Sequence, residues 1–191
     1  LCNYPLASKL FRKFAVMKRI IMITGGQRSG KSMYAEQLAL SMSETPVYIA
    51  TAHVWDEEFK QRILRHQERR GMAWSNIEEE KYLSRHNIYK KVAVIDCITL
   101  WCTNFFYNQH ATTEQQPNVD EALEALKAEF DKFIAQEAVF IFVTNEIGSG
   151  GVSRNIVQRR FTDLEGWMNQ YVASKADEVI LMVSGIPVKI K

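Results

Sequence analysis

Eight consecutive residues restrict this chain more than anything else in it: Gly25, Gly26, Gln27, Arg28, Ser29, Gly30, Lys31 and Ser32 spell G-x-x-x-x-G-K-S. They lie between an apolar run at 20–23 and a stretch of helical period at 30–42, in which Ala35, Leu38, Ala39 and Met42 share one face. A strand, a glycine turn and a helix in that order let successive backbone N–H groups surround phosphate oxygens, backed by the positive end of the helix dipole. The lysine of such a loop reaches the β- and γ-phosphates, and the following hydroxyl is a ligand for Mg²⁺. The pattern predicts a nucleoside-triphosphate site with Lys31 as a catalytic residue and Ser32 as a metal ligand.

The rest of the chain alternates in the same way. Short apolar runs at 47–50, 92–95, 139–143 and 179–183 read as strands buried on both faces. Stretches of helical period separate them at 56–70, from 98, at 119–133 and at 156–173. A short last strand is expected at 188–190, and the polar stretch 108–118, which contains Pro117, is expected to be a loop. This is the βαβ pattern of an α/β fold, a mostly parallel sheet with helices on both faces.

With 191 residues, 47% of them hydrophobic and 24% charged, the chain can bury one full core without metal or disulfide support. Its three cysteines include no CxxC pair, which argues for a reducing compartment and against a zinc site. No apolar run approaches the roughly 20 residues of a membrane span. A soluble, cytoplasmic protein is expected. The net charge of +2 is uneven: residues 1–20 carry five basic groups and no acid, leaving 19 basic against 22 acidic groups elsewhere. Such a body lacks the basic footprint of a nucleic-acid binder. Residues 1–16 have some features of a transit peptide but are read as a non-native or disordered extension, with 17–191 as a single domain.

Three further features carry chemistry. Asp96 follows the run at 92–95, so it stands at the carboxyl end of a strand beside the phosphate loop, where it can hold Mg²⁺; the alternative is a helix cap for the helix from 98. Glu146 lies in the glycine-rich run 144–151 after another strand, at the same edge, where the loop can approach a ligand or be a flexible connection. On the helix over 56–70, Arg62, His66 and either Arg69 or Arg70 share a face. Guanidinium groups around an imidazole suit a histidine that handles phosphate, although a solvated charged helix has the same pattern.

Taken in order, these pieces resemble the bifunctional adenosylcobinamide kinase/adenosylcobinamide-phosphate guanylyltransferase family of cobalamin biosynthesis. The resemblance rests on residues 24–32, on Tyr48-Ile49-Ala50-Thr51, on Arg62-Ile63-Leu64-Arg65-His66, and on Trp74 and Glu78. It continues through Asp96-Cys97-Ile98-Thr99, residues 143–148 and the ending 183–191, about nine tenths of the chain. It implies a P-loop, RecA-like fold, a tendency to form homotrimers, and two reactions. Adenosylcobinamide would be phosphorylated by ATP or GTP. GMP would then pass from GTP, through a guanylylated histidine, to adenosylcobinamide phosphate. The histidine carries over to His66, with His53 as a rival. Nucleotide contacts carry over to Gly25 through Ser32, to Ala50, Thr51 and Ala52, to Gln67, Glu68, Arg69 and Arg70, and to Glu78 and Asp96. Mg²⁺ would be held by Ser32 and Asp96. Where the family is expected to have a proline after Gly151-Val152, this chain has Ser153.

Overall fold

The computed structural model describes residues 17–53, 57, 71–107 and 118–191. The strands and helices run β1 (Arg19–Gly25), α1 (Lys31–Met42), β2 (Val47–Ala50), β3 (Ser75–Glu78), β4 (Val92–Asp96), α2 (Ile98–Phe106), α3 (Val119–Phe133), β5 (Val139–Val143), α4 (Ile156–Lys175), β6 (Glu178–Val183) and β7 (Ile186–Lys189). The strands form one sheet in the order β3-β2-β4-β5-β1-β6-β7. Every pairing is parallel except β6 with β7. The expected α/β architecture is therefore the one found.

Alternation within the central strands divides the core. Phe140 and Phe142 of β5, with Ile20, Met22, Ala93 and Ile95, face α2, α3 and α4, where Trp101, Phe130, Phe133, Leu164 and Met168 meet them. Ile21, Ile23, Val94, Ile141 and Val143 face the other way, onto Ala35 and Ala39 of α1. Side chains of this size contribute about 1.5–3 kcal/mol each when fully buried. The continuous apolar character of the runs at 20–23, 92–95 and 139–143 is what a strand covered on both faces requires.

Two departures from the sequence reading have simple causes. No strand was expected at 75–78, because Ser75-Asn76-Ile77-Glu78 has one apolar residue; β3 is an edge strand that β2 recruits through backbone pairing. The last strand begins at Ile186 rather than 188, since the tight turn at Ser184 and Gly185, both with positive φ, returns the chain at once. The extension 1–16, the polar residues 108–117 and, apart from Glu57, the predicted helix 56–70 lie outside the described residues. His66, Gln67, Glu68, Arg69 and Arg70 are among them.

The register lines up one edge. Glu78, Ala50, Asp96, Val143 and Ile23 are successive partners across β3, β2, β4, β5 and β1. The carboxyl ends of five strands thus finish together, as in sheets that bind ligands beyond that edge.

Candidate active site

Gly25 closes β1 with φ +145°, and a Cβ there would stand 2.4 Å from the Met182 carbonyl oxygen of β6. Only glycine fits. Gly30, at φ +95°, begins α1 without a side-chain cap, whereas Asn118 and Asn155 accept hydrogen bonds from the first turns of α3 and α4. The first N–H groups of α1 are left for a ligand, as an anion site needs. Gly26, Gln27 and Arg28 are exposed; Ser29 and Lys31 are buried beneath them. Lys31 Nζ donates to the Gly26 carbonyl at 2.6 Å and to Ser29 Oγ at 3.5 Å. Burial pulls its ammonium below the usual lysine range, against the nearby acidic groups of Cys97, Asp96 and Glu165. The loop is braced from behind: Gly185 N–H donates to the Ser29 carbonyl at 2.9 Å, and Glu146 N–H to that of Gly25 at 3.1 Å.

Asp96 is the last residue of β4. It does not cap α2, whose N-cap is Cys97 without a side-chain hydrogen bond. Instead, Asp96 Oδ2 accepts from the Tyr48 hydroxyl at 2.6 Å, and Trp74 packs edge-on against Tyr48 at 5.9 Å between ring centres. The carboxylate is thereby oriented by β2 and the segment before β3. Thr51 is fully buried and its polar groups serve the fold. Its Oγ1 donates to the Cys97 carbonyl and accepts from Cys97 N–H, its N–H donates to the Asp96 carbonyl, and its own carbonyl accepts from Asn104 Nδ2. It fastens β2 to β4 and so sets the half-buried Ala50 and Ala52 on either side of it. Glu78 is exposed at the end of β3. His53 lies beyond β2 with Nδ1 2.7 Å from Glu80 Oε1.

Under the β5 end of the site runs a network the sequence did not announce. Glu165 of α4 is 1% exposed, and its Oε1 accepts from the Thr99 hydroxyl at 2.5 Å. Burial first, then the charge of Glu146, raises the Glu165 carboxyl to about 7, against the Thr99 hydrogen bond and Lys31. From 4.5 to about 7 the native state keeps a proton that the unfolded chain has lost, so this residue's effect is to make stability fall as pH rises through that window. The shift corresponds to about 3 kcal/mol. Glu165→Gln should therefore melt several degrees higher than the parent at pH 8 and near it at pH 4.5. Thermal melts at the two pH values check this, and an equal difference at both would remove the buried charge as its cause. Glu165 lies four residues after Phe161 and three before Met168, on the apolar stripe of its helix. An acid in that place was the available signal. Tyr48 offered none, since a tyrosine in an apolar strand is ordinary.

The structure thus brings the phosphate loop, Asp96, Ala50, Ala52 and Glu146 to one edge. Among the described residues, no group of three or more His, Cys, Asp and Glu side chains could form a metal cage. The Asp96 carboxylate and Ser32 hydroxyl are hard oxygen donors of the kind Mg²⁺ takes alongside phosphate oxygens and waters, so these residues fit the ion. Cys97 and Cys102 are buried, and burial above all pushes the first thiol up to about 12 and the second well upward. No helix among the described residues is long and apolar enough to cross a membrane.

The chain is similar to known proteins over most of its length. The family model described as cobinamide kinase / cobinamide phosphate guanyltransferase matches residues 21–190. The bifunctional adenosylcobalamin biosynthesis protein CobU of Escherichia coli (strain K12) is 36% identical over 181 residues, covering 90% of this chain and 99% of that one. Its namesake from Salmonella typhimurium matches to the same extent, and CobP of Pseudomonas aeruginosa is 34% identical over 174 residues, covering 89% of this chain and 96% of that one. Among solved structures, flagellar accessory protein FlaH from Methanocaldococcus jannaschii superposes with a TM-score of 0.47 at 17% identity, over 92% of this chain and 79% of that one.

Proposed function

The chain belongs to the cobinamide kinase / cobinamide phosphate guanyltransferase family, and from that premise we propose how its own residues divide the two reactions of cobalamin nucleotide-loop assembly. In the first, the hydroxyl oxygen on the aminopropanol arm of adenosylcobinamide attacks the γ-phosphorus of ATP or GTP. The bond to the bridging oxygen breaks, the nucleoside diphosphate leaves, and the hydroxyl proton passes to solvent or a base. Gly25 through Ser32 hold the phosphates, and Lys31 turns from the Gly26 carbonyl to the β- and γ-oxygens. Bound Mg²⁺, held by Ser32 and Asp96, would supply countercharge for those oxygens.

In the second reaction, an imidazole nitrogen of His66 attacks the α-phosphorus of GTP, expels pyrophosphate and keeps GMP as a phosphoramidate. A phosphate oxygen of adenosylcobinamide phosphate then attacks that phosphorus, the N–P bond breaks, and adenosylcobinamide-GDP forms. Arg62 and either Arg69 or Arg70, on the same face of the predicted helix, would supply charge that favours a neutral imidazole and attracts phosphate. Gln67 and Glu68, with Ala50, Ala52 and Glu78 at the ends of β2 and β3, border the nucleotide. Thr51 acts there by placing its neighbours. A homotrimer working in the cytoplasm, where ATP and GTP are abundant, accords with the family.

The observation that carries this reading is the family match across 21–190, with the intact phosphate loop inside it. Its test is incubation with α-labelled GTP and Mg²⁺: acid-labile, base-stable label should remain on the protein. A kinase without a covalent step, or a nucleotide-driven switch, would retain none. Asp96→Asn should lower phosphorylation of cobinamide by about tenfold or more, partly recovered at raised Mg²⁺, because it weakens a metal contact. A folded, nucleotide-binding variant that no Mg²⁺ concentration improves would end the metal role of Asp96.

A further inference from the structure

The Thr99 hydroxyl is the hub of the network under the β5 end of the site. It accepts from Asn145 N–H at 3.1 Å and from Asn145 Nδ2 at 3.0 Å, and it donates to Glu165 Oε1 at 2.5 Å. A hydroxyl has two lone pairs and one proton; with Asn145 at both acceptor positions, the proton goes to the Glu165 carboxylate, its partner at 2.5 Å. One turn along α4 from Glu165, Asn169 Nδ2 donates to the Asn145 carbonyl at 3.0 Å, and Asn169 Oδ1 accepts from the Thr144 hydroxyl at 2.7 Å. Two residues on one face of α4 therefore grip the exit of β5 from both sides, using the first turn of α2 as the intermediary. That exit lies between β1, with the phosphate loop, and β4, with Asp96. Its next residue, Glu146, touches the loop itself through Gly25.

We propose that Thr99, held by Glu165, is a positioning residue for phosphoryl transfer, fixing the Asn145–Glu146 segment against the phosphate loop so that nucleotide and acceptor hydroxyl meet in line. The inference rests on the kinase reading above. Its polar groups find their hydrogen-bond partners within the protein, so the network acts by holding the segment in place. The segment it fixes braces Gly25 of the loop whose lysine serves the β- and γ-phosphates, so its effect is expected on γ-phosphoryl transfer rather than on attack at the α-phosphate. A misplacement of about 1 Å in a reacting geometry can cost 10²-fold in rate.

Thr99→Val keeps the side-chain shape and removes the hub, and Thr99→Ser restores it. For cobinamide phosphorylation, Thr99→Val should lose about tenfold or more in kcat, with the nucleotide KM within about threefold. Labelling by α-labelled GTP should persist at the parent level, and Thr99→Ser should return to within about threefold of the parent kcat. Glu165→Gln keeps an acceptor without its charge and should show a smaller kcat loss while labelling normally. A parent-level kcat in Thr99→Val, or a fall of phosphorylation and labelling in equal proportion, overturns the proposal in favour of a purely structural network. If Thr99→Val does not fold, an unchanged kcat in Glu165→Gln overturns it alone. A parent protein that phosphorylates no cobinamide ends the kinase reading itself, an outcome distinct from these.

Discussion

His66→Ala should abolish covalent retention of GMP from α-labelled GTP and, with it, formation of adenosylcobinamide-GDP, while phosphorylation of adenosylcobinamide should continue at a substantial fraction of the parent rate. The split follows from chemistry. A phosphoramidate needs a nitrogen nucleophile that is neutral near pH 7, and no other side chain of the Arg-Ile-x-x-His segment provides one. Phosphoryl transfer to a hydroxyl needs the phosphate loop, countercharge and alignment, none of which His66 supplies. His53→Ala is the matched control. His53 is already engaged with Glu80 at 2.7 Å, and its loss should leave labelling intact. Autoradiography of acid- and base-treated protein, beside a cobinamide phosphorylation assay, reads both halves. Normal labelling in His66→Ala together with none in His53→Ala would move the nucleophile to His53 and leave the family assignment in place.

Lys31→Ala should depress both reactions by about 10²-fold or more, since each uses the triphosphate and a charge-assisted contact in a dehydrated site is worth at least that much. The effect should be larger than for a surface lysine of similar type. Lys31 is 7% exposed and its ammonium is held at the loop by the Gly26 carbonyl. Circular dichroism separates lost catalysis from lost fold, and steady-state assays of the two reactions measure the loss. A parent rate in either one would mean that reaction does not draw on this phosphate loop.

The phosphate loop is legible in the sequence because its chemistry is local: glycine at positive φ, lysine and serine at fixed spacing, strand before and helix after. Asp96 was legible for the same reason, being one step past an apolar run. The pieces that hold these residues were not. Tyr48 meets Asp96 across two strands that are 48 positions apart, and Thr99 meets Glu165 across 66. Pairing at such separations leaves no periodicity. β3 escaped notice because an edge strand needs backbone partners and little apolar content, so Ser75-Asn76-Ile77-Glu78 carries no pattern of its own. The acid at position 165 was visible as an anomaly on an apolar stripe; its partner was not.

The brace behind the phosphate loop has a consequence for how the protein comes into being on the ribosome. β1 is made first but pairs with β5 and β6, and the loop that follows it is tied to Gly185. The segment with the nucleotide-binding signature therefore emerges before its lasting neighbours, with more than 100 residues of further synthesis before β5 exists and more than 150 before Gly185 does. Pairings of such long range are slow to form and leave a strand edge uncovered in the meantime. The apolar run at 20–23 is the stretch that a nascent-chain chaperone would have to shield. A chain arrested short of residue 185 carries the whole motif and lacks the Gly185 N–H that braces the loop from behind.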